Sequence, residues 1–284
     1  MNIGITGANG QLGQELQSYL RSSGYKVFTF PRQNLDICDE KNFENKLSHL
    51  SLDFLINCAA FTDVDSAEAN LDTAFQINAE GPLKLAKFCK SKKIGLIHIS
   101  TDSVFSSDMP KFFETRSDTN PINVYSRSKA AGEKLIIAEY PEGSWIVRTA
   151  WIYGDFGGKF VHTIISKAED SSPLSVVNDQ FGQPISTLAL SSYIDALIRQ
   201  KASPGIYHFA SRDFVSRFEF AQSILTILGA DAQRVRSILT ISKPGLAIRP
   251  RYSLLKIEDA CKNLDINVES WKYYLINFLQ NVKR

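Results

Sequence analysis

The chain has 284 residues, of which 44% are hydrophobic, and this is enough to bury a large core in one or two domains. Its 32 basic residues nearly balance its 30 acidic residues and no block of like charge occurs, so we expect no nucleic-acid partner and no polybasic membrane contact. The N-terminus lacks the apolar run of a signal peptide, and no stretch approaches the roughly 20 apolar residues that span a bilayer. We therefore expect a soluble, cytoplasmic protein.

Short apolar runs alternate with longer amphipathic segments over the first half of the chain. The runs have the length of buried strands, and the segments between them show helical periodicity. The predicted strands are Ile3–Thr6, Val27–Phe30, Phe54–Asn57, Leu96–Ser100 and Trp145–Arg148, and the predicted helices lie near residues 11–22, 40–48, 73–92 and 123–138. Such alternation predicts a parallel sheet with right-handed crossovers, so we assign residues 1–154 to a Rossmann-type, doubly wound α/β domain.

Beyond about residue 155 the alternation becomes less regular. Leu174–Val177 and Gly205–Phe209 are predicted strands, whereas Arg217–Leu228 and Ile257–Leu264 are predicted helices. We therefore assign residues 155–284 to a smaller C-terminal α/β region that packs on the first domain. The boundary is approximate, and we expect segments of the two regions to interleave.

A glycine-rich turn follows the first predicted strand and opens the first predicted helix. Residues 6–13 (TGANGQLG) have the spacing G-x-x-G-x-x-G rather than the commoner G-x-G-x-x-G. Glycines permit a tight turn and a close approach of the backbone to a pyrophosphate, which the free N–H groups and the helix dipole attract. Such a turn can be purely structural, but its place at the start of a strand–helix alternation favours a dinucleotide site. The residues assigned to this site are Gly7, Asn9, Gly10, Gln11, Leu12 and Gly13.

The residues after the second predicted strand indicate which dinucleotide binds. An acidic side chain there would bind the 2′-hydroxyl of NAD, but residues 28–32 (FTFPR) contain no carboxylate. The guanidinium of Arg32 is suited to a 2′-phosphate, although Arg32 could instead be a solvated loop residue. We expect NADPH as the cofactor and leave NADH open.

Residues 125–129 (YSRSK) place a phenol and an ammonium four positions apart on a predicted helix. Positions i and i+4 lie on one helix face, and an ammonium near a phenol favours the phenolate. We therefore expect Lys129 to lower the pKa of Tyr125, which would suit proton transfer to an alkoxide. The pattern is also common by chance, so the two residues could be ordinary solvated side chains.

The glycine turn, residues 99–102 (ISTD) and the Tyr125–Lys129 pair together resemble the extended short-chain dehydrogenase/reductase superfamily. Further segments, in order from end to end of the chain, resemble the dTDP-4-dehydrorhamnose reductase family more narrowly. They are residues 56–65 (INCAAFTDVD), 78–79 (NA), 148–154 (RTAWIYG), 179–184 (DQFGQP) and 249–250 (RP). The resemblance implies that the C-terminal region binds the substrate.

The resemblance also implies catalytic roles. Tyr125 would donate a proton to the C4 oxygen of the substrate, and Lys129 would hold the nicotinamide ribose and lower the pKa of the phenol. Thr101 would hydrogen-bond the substrate carbonyl. An ordinary alternative for Thr101 is a turn residue at the end of a strand.

Binding roles follow from the same resemblance. Asp102 and Trp151 would contact the sugar nucleotide, although Asp102 could be a helix cap and Trp151 part of the core. The remaining residues implied at the dinucleotide are Ala59, Ala60 and Thr62 along its length, with Asp36 and Ile37 near the adenine end.

The implied activity is NADPH-dependent reduction of the C4 ketone of a nucleoside-diphosphate 4-keto-6-deoxyhexose, specifically dTDP-4-dehydro-L-rhamnose to dTDP-L-rhamnose. One alternative is a sugar-nucleotide epimerase or dehydratase on the same fold, although these enzymes usually keep a carboxylate on the second strand. Another is a non-catalytic binding subunit that resembles the regulatory subunit of methionine adenosyltransferase.

The chain departs from the family pattern in three places. Ser103 replaces a usual Tyr, Ser126 replaces a usual Gly, and Lys159 stands where Asn is common, so the exact sugar nucleotide stays open. Some relatives need Mg²⁺ at a dimer contact, and Glu15 lies where one ligand would be. The basic C-terminus offers no obvious partner, and the scattered cysteines form no zinc motif, so we assign no metal site and leave the Mg²⁺ requirement and a homodimer open.

Overall fold

A six-stranded parallel sheet forms the centre of the protein. The computed structural model describes residues 1–157, 159–241 and 245–282, without the side chains of residues 159, 259, 263 and 282. The strands are β1 (Asn2–Thr6), β2 (Lys26–Phe30), β3 (Phe54–Asn57), β4 (Gly95–Thr101), β5 (Phe112–Phe113), β6 (Ser144–Thr149), β7 (Ile152–Tyr153), β8 (Leu174–Val177), β9 (Phe181–Gly182), β10 (Ile185–Ser186), β11 (Gly205–Phe209), β12 (Val215–Ser216), β13 (Val235–Ile238) and β14 (Leu254–Leu255).

Helices connect these strands. They are α1 (Gln11–Ser22), α2 (Glu40–Leu47), α3 (Val64–Ala69), α4 (Leu71–Phe75), α5 (Gly81–Lys92), α6 (Val124–Glu139), α7 (Lys159–Ser166), α8 (Thr187–Arg199), α9 (Arg217–Leu228), α10 (Glu258–Asn263) and α11 (Trp271–Val282). A π-helical turn over Gln76–Glu80 joins α4 to α5, so the helix predicted near residues 73–92 is continuous but wider at this turn. Among the described residues, no helix is long and apolar enough to cross a membrane.

The main sheet has the strand order β2-β1-β3-β4-β6-β11, which confirms the predicted doubly wound α/β fold. Helices cover both faces because successive strand residues point to opposite sides. Leu55, Leu96 and Ile146 pack in the core beside α2 and α5, whereas their neighbours Ile56, Ile97 and Val147 pack in the core beside α1 and α8. These strands are therefore apolar at nearly every position, as the sequence indicated.

The order of the strands reverses at β1. The chain goes from β1 to β2 on one side and then returns to β3 on the other side. In open parallel sheets, ligands bind beyond the carboxyl ends of the strands at such a reversal. The glycine turn after β1 and the loop after β3 both lie at this place, which locates the candidate site.

The second half of the chain also contributes a strand to the main sheet. The predicted strand Gly205–Phe209 pairs with β6 and so forms an edge of the main sheet rather than part of the smaller region. Short pairs join distant segments, with β14 beside β5 and β10 beside β7. The division near residue 154 and the expected interleaving of the two regions stay predictions.

Candidate active site

A cleft of about 800 Å³ opens at the carboxyl ends of the main-sheet strands. All the residues that sequence analysis assigned to a cofactor, a substrate or catalysis line it. They are Gly7, Asn9, Gly10, Gln11, Leu12, Gly13, Arg32, Asp36, Ile37, Ala59, Ala60, Thr62, Thr101, Asp102, Tyr125, Lys129 and Trp151.

The glycine turn approaches the loop after β3 so closely that side chains do not fit. Gly7 has φ of +64°, and a Cβ there would lie 2.6 Å from the backbone nitrogen of Ala59. A Cβ on Gly13 would lie 2.5 Å from the carbonyl oxygen of Gly7, so the first turn of α1 packs directly on the glycine turn. The N-terminus of α1 lines the cleft beside this turn, where its backbone N–H groups suit a pyrophosphate.

One end of the cleft is formed by the residues after β2. The side chain of Arg32 is exposed there, and the backbone N–H of Cys38 donates to Asp36 Oδ1 over 2.9 Å. Ile37 is buried against Gly81, whose added Cβ would meet it at 2.9 Å. This end offers an apolar floor and one cation, which suits the adenosine half of a phosphorylated dinucleotide.

Asn78 on the π-helical turn fixes the loop after β3. Its Oδ1 accepts the Phe61 N–H over 2.8 Å, and its Nδ2 donates to the Phe61 carbonyl over 3.0 Å. The same Nδ2 donates to Ser128 Oγ on α6 over 3.0 Å. Sequence analysis gave Asn78 no role, yet this fully buried amide holds the dinucleotide-facing loop against the helix that carries Tyr125.

Tyr125 lies in the first turn of α6, where Asn123 caps the helix by accepting the Ser126 N–H over 2.8 Å. The Thr101 hydroxyl hydrogen-bonds the phenol, and Thr101 Oγ1 also accepts the Ser103 N–H over 3.2 Å. Burial raises the pKa of Tyr125 to about 12, and the nearby Asp102 carboxylate adds to this effect, while the Thr101 hydrogen bond opposes it. The phenol therefore keeps its proton at neutral pH.

The amine of Lys129 contacts residues of β4. Its Nζ donates to the Ile99 carbonyl over 2.7 Å and lies 3.0 Å from His98 Nε2. Burial lowers the pKa of Lys129 to about 8, while Glu133 and Cys58 act in the opposite direction. The expectation that Lys129 lowers the pKa of Tyr125 is wrong in this structure, because desolvation dominates and the amine is directed at other partners.

The substrate side of the cleft is built around Asp102 and Trp151. Ser253 Oγ donates to Asp102 Oδ2 over 2.6 Å, and burial raises the pKa of Asp102 to about 6. Trp151 has φ of +43°, an uncommon conformation for a bulky residue, and such strain is typical of functional sites. Arg217 Cζ lies 3.6 Å from the centroid of the indole ring. The ring also packs against Gly182 so closely that an added Cβ there would lie 2.3 Å from a ring atom.

Sequence analysis missed two arginines in the cleft. Arg217 begins α9, far along the chain from Trp151, and no local pattern marks it as a site residue. Arg249 belongs to a segment that carried the family resemblance, but it was given no role. It forms a two-pronged ion pair with Asp65, with both N–O distances 3.0 Å, and so joins the C-terminal region to α3 at the cleft.

The departures from the family pattern fall in different surroundings. Ser103 lines the cleft, while Ser126 is fully buried and its Oγ makes no hydrogen bond. Lys159 begins α7, but its side chain lies outside the described residues. Glu15 lies outside the cleft lining and accepts a hydrogen bond from Thr187 over 3.0 Å, and no group of three acidic, His or Cys side chains among the described residues could hold a metal ion.

The parallel sheet and its cleft place the protein in the class of Rossmann-type oxidoreductases that use a nicotinamide dinucleotide. The protein family described as RmlD substrate binding domain matches residues 1–284. The chain belongs to this family.

Relatives with stated activities support the same class. The dTDP-4-dehydrorhamnose reductase of Mycolicibacterium smegmatis is 36% identical over 272 residues, which cover 95% of this chain and 82% of the relative. The dTDP-4-keto-6-deoxy-D-glucose reductase of Streptomyces niveus is 36% identical over 251 residues, which cover 88% of this chain and 87% of the relative. The crystal structure of dTDP-4-dehydrorhamnose reductase from Bacillus anthracis, in complex with NADP, has a TM-score of 0.93 and 34% identity over 99% of each chain.

Proposed function

We propose that the protein reduces the C4 ketone of a nucleoside-diphosphate 4-keto-6-deoxyhexose with NADPH, converting dTDP-4-dehydro-L-rhamnose to dTDP-L-rhamnose. The observation that carries the proposal is the meeting of Tyr125 and Thr101 in the same cleft as the glycine turn. A proton donor and a hydroxyl that can bind a carbonyl oxygen thus lie within reach of a dinucleotide site. The sequence relatives with reductase activity act on substrates of this kind.

Tyr125 would be the proton donor. When bound, NADPH supplies the hydride that is added to C4, so negative charge develops on the carbonyl oxygen. Because burial raises the pKa of Tyr125 to about 12, the phenol is protonated at neutral pH and can donate to that oxygen. Thr101 lies beside the phenol and would hold the oxygen in line with it. A protonated acid suits reduction, whereas oxidation would need the phenolate.

Binding of the cofactor would use the glycine turn and the two loops beside it. The close approach of Gly7 to Ala59 leaves backbone N–H groups and the α1 N-terminus for the pyrophosphate. Arg32 at the far end would pair with a 2′-phosphate, and the absence of a carboxylate from residues 28–32 removes the usual partner of the NAD ribose. We therefore propose NADPH over NADH.

The sugar nucleotide would occupy the side of the cleft formed by Trp151, Asp102 and Arg217. The indole offers an apolar face for a deoxyhexose, and the guanidinium above it supplies a cation for the diphosphate. A second candidate substrate is another dTDP-4-keto-6-deoxyhexose. Ser103 favours this alternative, because it lines the cleft where the family usually has the larger Tyr.

A turnover assay tests the proposal. Purified protein is mixed with NADPH or NADH and dTDP-4-dehydro-L-rhamnose, and the nicotinamide absorbance is followed. We expect NADPH to be consumed in proportion to dTDP-L-rhamnose formed. An epimerase or dehydratase would convert its substrate without consuming NADPH, and a binding subunit would bind ligand without turnover, so either result overturns the proposal.

The place of action and the assembly are also proposals. Cys38, Cys58, Cys89 and Cys261 are all free thiols, as expected in the reducing cytoplasm. We propose a cytoplasmic enzyme, and the homodimer left open above is a hypothesis that size-exclusion chromatography with light scattering would test.

A further inference from the structure

A row of polar side chains crosses the sheet beneath the cleft and ends at Lys129. Parallel register places Thr6 beside Asn57, and Asn57 beside His98, on three adjacent strands. His98 is fully buried, with Nδ1 3.0 Å from Asn57 Nδ2 and Nε2 3.0 Å from Lys129 Nζ. The mechanism proposed above leaves His98 without a function.

The orientation of the Asn57 amide is determined by its other partners. Its Oδ1 accepts the Thr6 hydroxyl over 2.7 Å and the Ala59 N–H over 3.1 Å. Turning the amide over would place its NH₂ group against the Ala59 N–H, two donors facing each other. Asn57 Nδ2 therefore faces His98 as a donor, and His98 Nδ1 must accept.

This assignment determines the other ring nitrogen of His98. A neutral imidazole has one N–H donor and one acceptor, so with Nδ1 accepting, Nε2 carries the hydrogen and points at Lys129. An ammonium has donors only, whereas a neutral amine can accept the Nε2 hydrogen and still donate to the Ile99 carbonyl. The whole row is satisfied only when Lys129 is a neutral amine.

Protonation of Lys129 would leave two buried hydrogen-bond donors facing each other. If Nε2 accepted from the ammonium, the imidazole hydrogen would move to Nδ1 and face the Asn57 NH₂ group across 3.0 Å. Unsatisfied donors of this kind are costly at a fully buried side chain such as His98. Either arrangement of the imidazole therefore disfavours the charged form of Lys129.

The charged and titratable groups around Lys129 do not remove this preference. Glu133, one turn further along α6, favours the ammonium, but its carboxylate is paired with Arg148 at 2.7 Å. Cys58 after β3 is a half-buried thiol whose raised pKa keeps it neutral, and Tyr125 before Lys129 on α6 is a phenol. Burial lowers the pKa of both His98 and Lys129, in the direction that the hydrogen bonds require.

We propose that His98 is a positioning residue that directs Lys129 and makes its amine lose a proton at a lower pH than the amine of an ordinary lysine. Lys129 can then gain and lose a proton in the working pH range, whereas an ordinary lysine stays charged. The hydrogen-bond assignment stands on the geometry alone, and its consequence for turnover rests on the proposed reductase function.

Nuclear magnetic resonance on the full chain tests the assignment directly. With ¹³Cε-labelled lysine, the Lys129 signal is identified by its loss in Lys129→Arg and is followed against pH. We expect a midpoint near 8 rather than the ordinary 10.5. In His98→Gln the amide can turn its carbonyl to the ammonium, so the midpoint should rise by roughly one pH unit or more. An ordinary midpoint in the unsubstituted protein, or no change in His98→Gln, overturns the proposal.

His208 provides a matched control. It is equally buried on β11, which β6 separates from the strand of His98, and its Nε2 lies 3.3 Å from Arg148 Nη1. His208→Gln should leave the Lys129 midpoint unchanged. A shift as large as that of His98→Gln would mean that any histidine loss in the core alters Lys129, and the proposal would fail.

A measurement on the unsubstituted protein covers the case in which His98→Gln does not fold. With ¹⁵N-labelled histidine, His98 should show an acceptor-type Nδ1 and a protonated Nε2 above about pH 8, where Lys129 is mostly neutral. A protonated Nδ1 or an imidazolium overturns the assignment. If His98→Gln folds and turns over, its kcat–pH profile should shift with the lysine midpoint while KM for NADPH is retained. Absence of any reductase activity would refute the proposed function and leave these resonance tests intact.

Discussion

Tyr125 and Lys129 lie one turn apart on α6, yet their polar atoms have different partners: the phenol meets Thr101, and the amine meets His98 and the Ile99 carbonyl. The pair is therefore not a simple acid beside a charge that tunes it. The phenol keeps its proton because it is buried, and the lysine is held by the sheet. We therefore expect substitutions of Tyr125 and of Lys129 to affect the reaction in different ways.

Replacing Tyr125 by Phe removes the hydroxyl that would donate the proton. We expect Tyr125→Phe to retain NADPH binding and to lower kcat by about 10²–10⁴-fold, the usual contribution of a positioned acid. Stopped-flow binding and steady-state turnover measure the two effects separately. Tyr140→Phe, just beyond the other end of α6, is the matched control. Turnover of Tyr125→Phe at the original rate would exclude it as the proton donor.

Loss of Arg32 should change the choice of cofactor. If its guanidinium pairs with the 2′-phosphate, Arg32→Ala loses a charge-assisted hydrogen bond of about 1.5–3 kcal/mol, and KM for NADPH should rise roughly tenfold or more. KM for NADH should barely move, because NADH lacks that phosphate. Arg21→Ala, in the last turn of α1, should change neither constant. Equal effects of Arg32→Ala on both cofactors would contradict phosphate recognition.

Ser103 and Trp151 line the same cleft, so filling the space at Ser103 should narrow the choice of sugar. One filled apolar contact is worth about 1–3 kcal/mol, and Ser103→Tyr should change the ratio of kcat/KM values for two 4-keto sugars by about 10-fold or more, in favour of the rhamnose precursor. A melting curve is recorded in parallel. An unchanged ratio with a lower Tm would show that the larger side chain only overpacks the region.

The buried ion pair between Glu133 and Arg148 should contribute strongly to stability. Both side chains are 3% exposed, and Arg148 Nη2 donates to Glu133 Oε2 over 2.7 Å. Glu133→Gln leaves the guanidinium buried without its counter-charge, which should lower the free energy of unfolding by about 3–5 kcal/mol. Glu139, on the same helix, pairs with Lys90 at the surface, so Glu139→Gln should cost at most about 1 kcal/mol. Similar urea midpoints for the two variants would refute this prediction.

Asp102 should make stability depend on pH. Burial raises its pKa from 3.8 to about 6 in the folded chain, so ionisation favours the unfolded state. The stabilising contribution of the protonated carboxyl is complete below pH 3.8 and is lost as the pH rises through about 6. Relative to Asp102→Asn, which mimics the protonated form, the natural protein should lose about 1–3 kcal/mol over this range.

Urea unfolding from about pH 4 to about pH 7 measures this difference. The hydrogen bond from Ser253 lowers the pKa of Asp102, so this pKa should be higher in Ser253→Ala. The loss of stability in Ser253→Ala should therefore continue to a higher pH than in the natural protein. A difference between the natural protein and Asp102→Asn that does not vary with pH would contradict the prediction.

Local patterns in the sequence predicted the elements that carry the cofactor end of the site. The strand Phe54–Asn57 is found with the predicted bounds, because an apolar run between polar loops has few other stable conformations in a parallel sheet. The glycine turn was predictable because Gly7 is needed where no side chain fits. These features depend on residues that are close together in the chain.

Features that depend on distant residues were not predictable. The strand Gly205–Phe209 was recognised, but its partner β6 was not, since register with a remote strand leaves no local pattern. The amine of Lys129 is directed by His98, which lies 31 residues earlier in the chain. The orientation of the Trp151 ring depends in the same way on its contact with Arg217. Spacing on a helix shows which side chains share a face, but not which partner each of them binds.

The left-handed backbone of Trp151 has a thermodynamic consequence for ligand binding. Its φ of +43°, the Arg217 guanidinium above the ring and Gly182 below it leave the indole little freedom before any sugar arrives. A ligand that packs on this ring buries apolar surface without having to immobilise the side chain first. Calorimetry of sugar-nucleotide binding should therefore record a negative heat-capacity change with only a small entropic penalty from the protein.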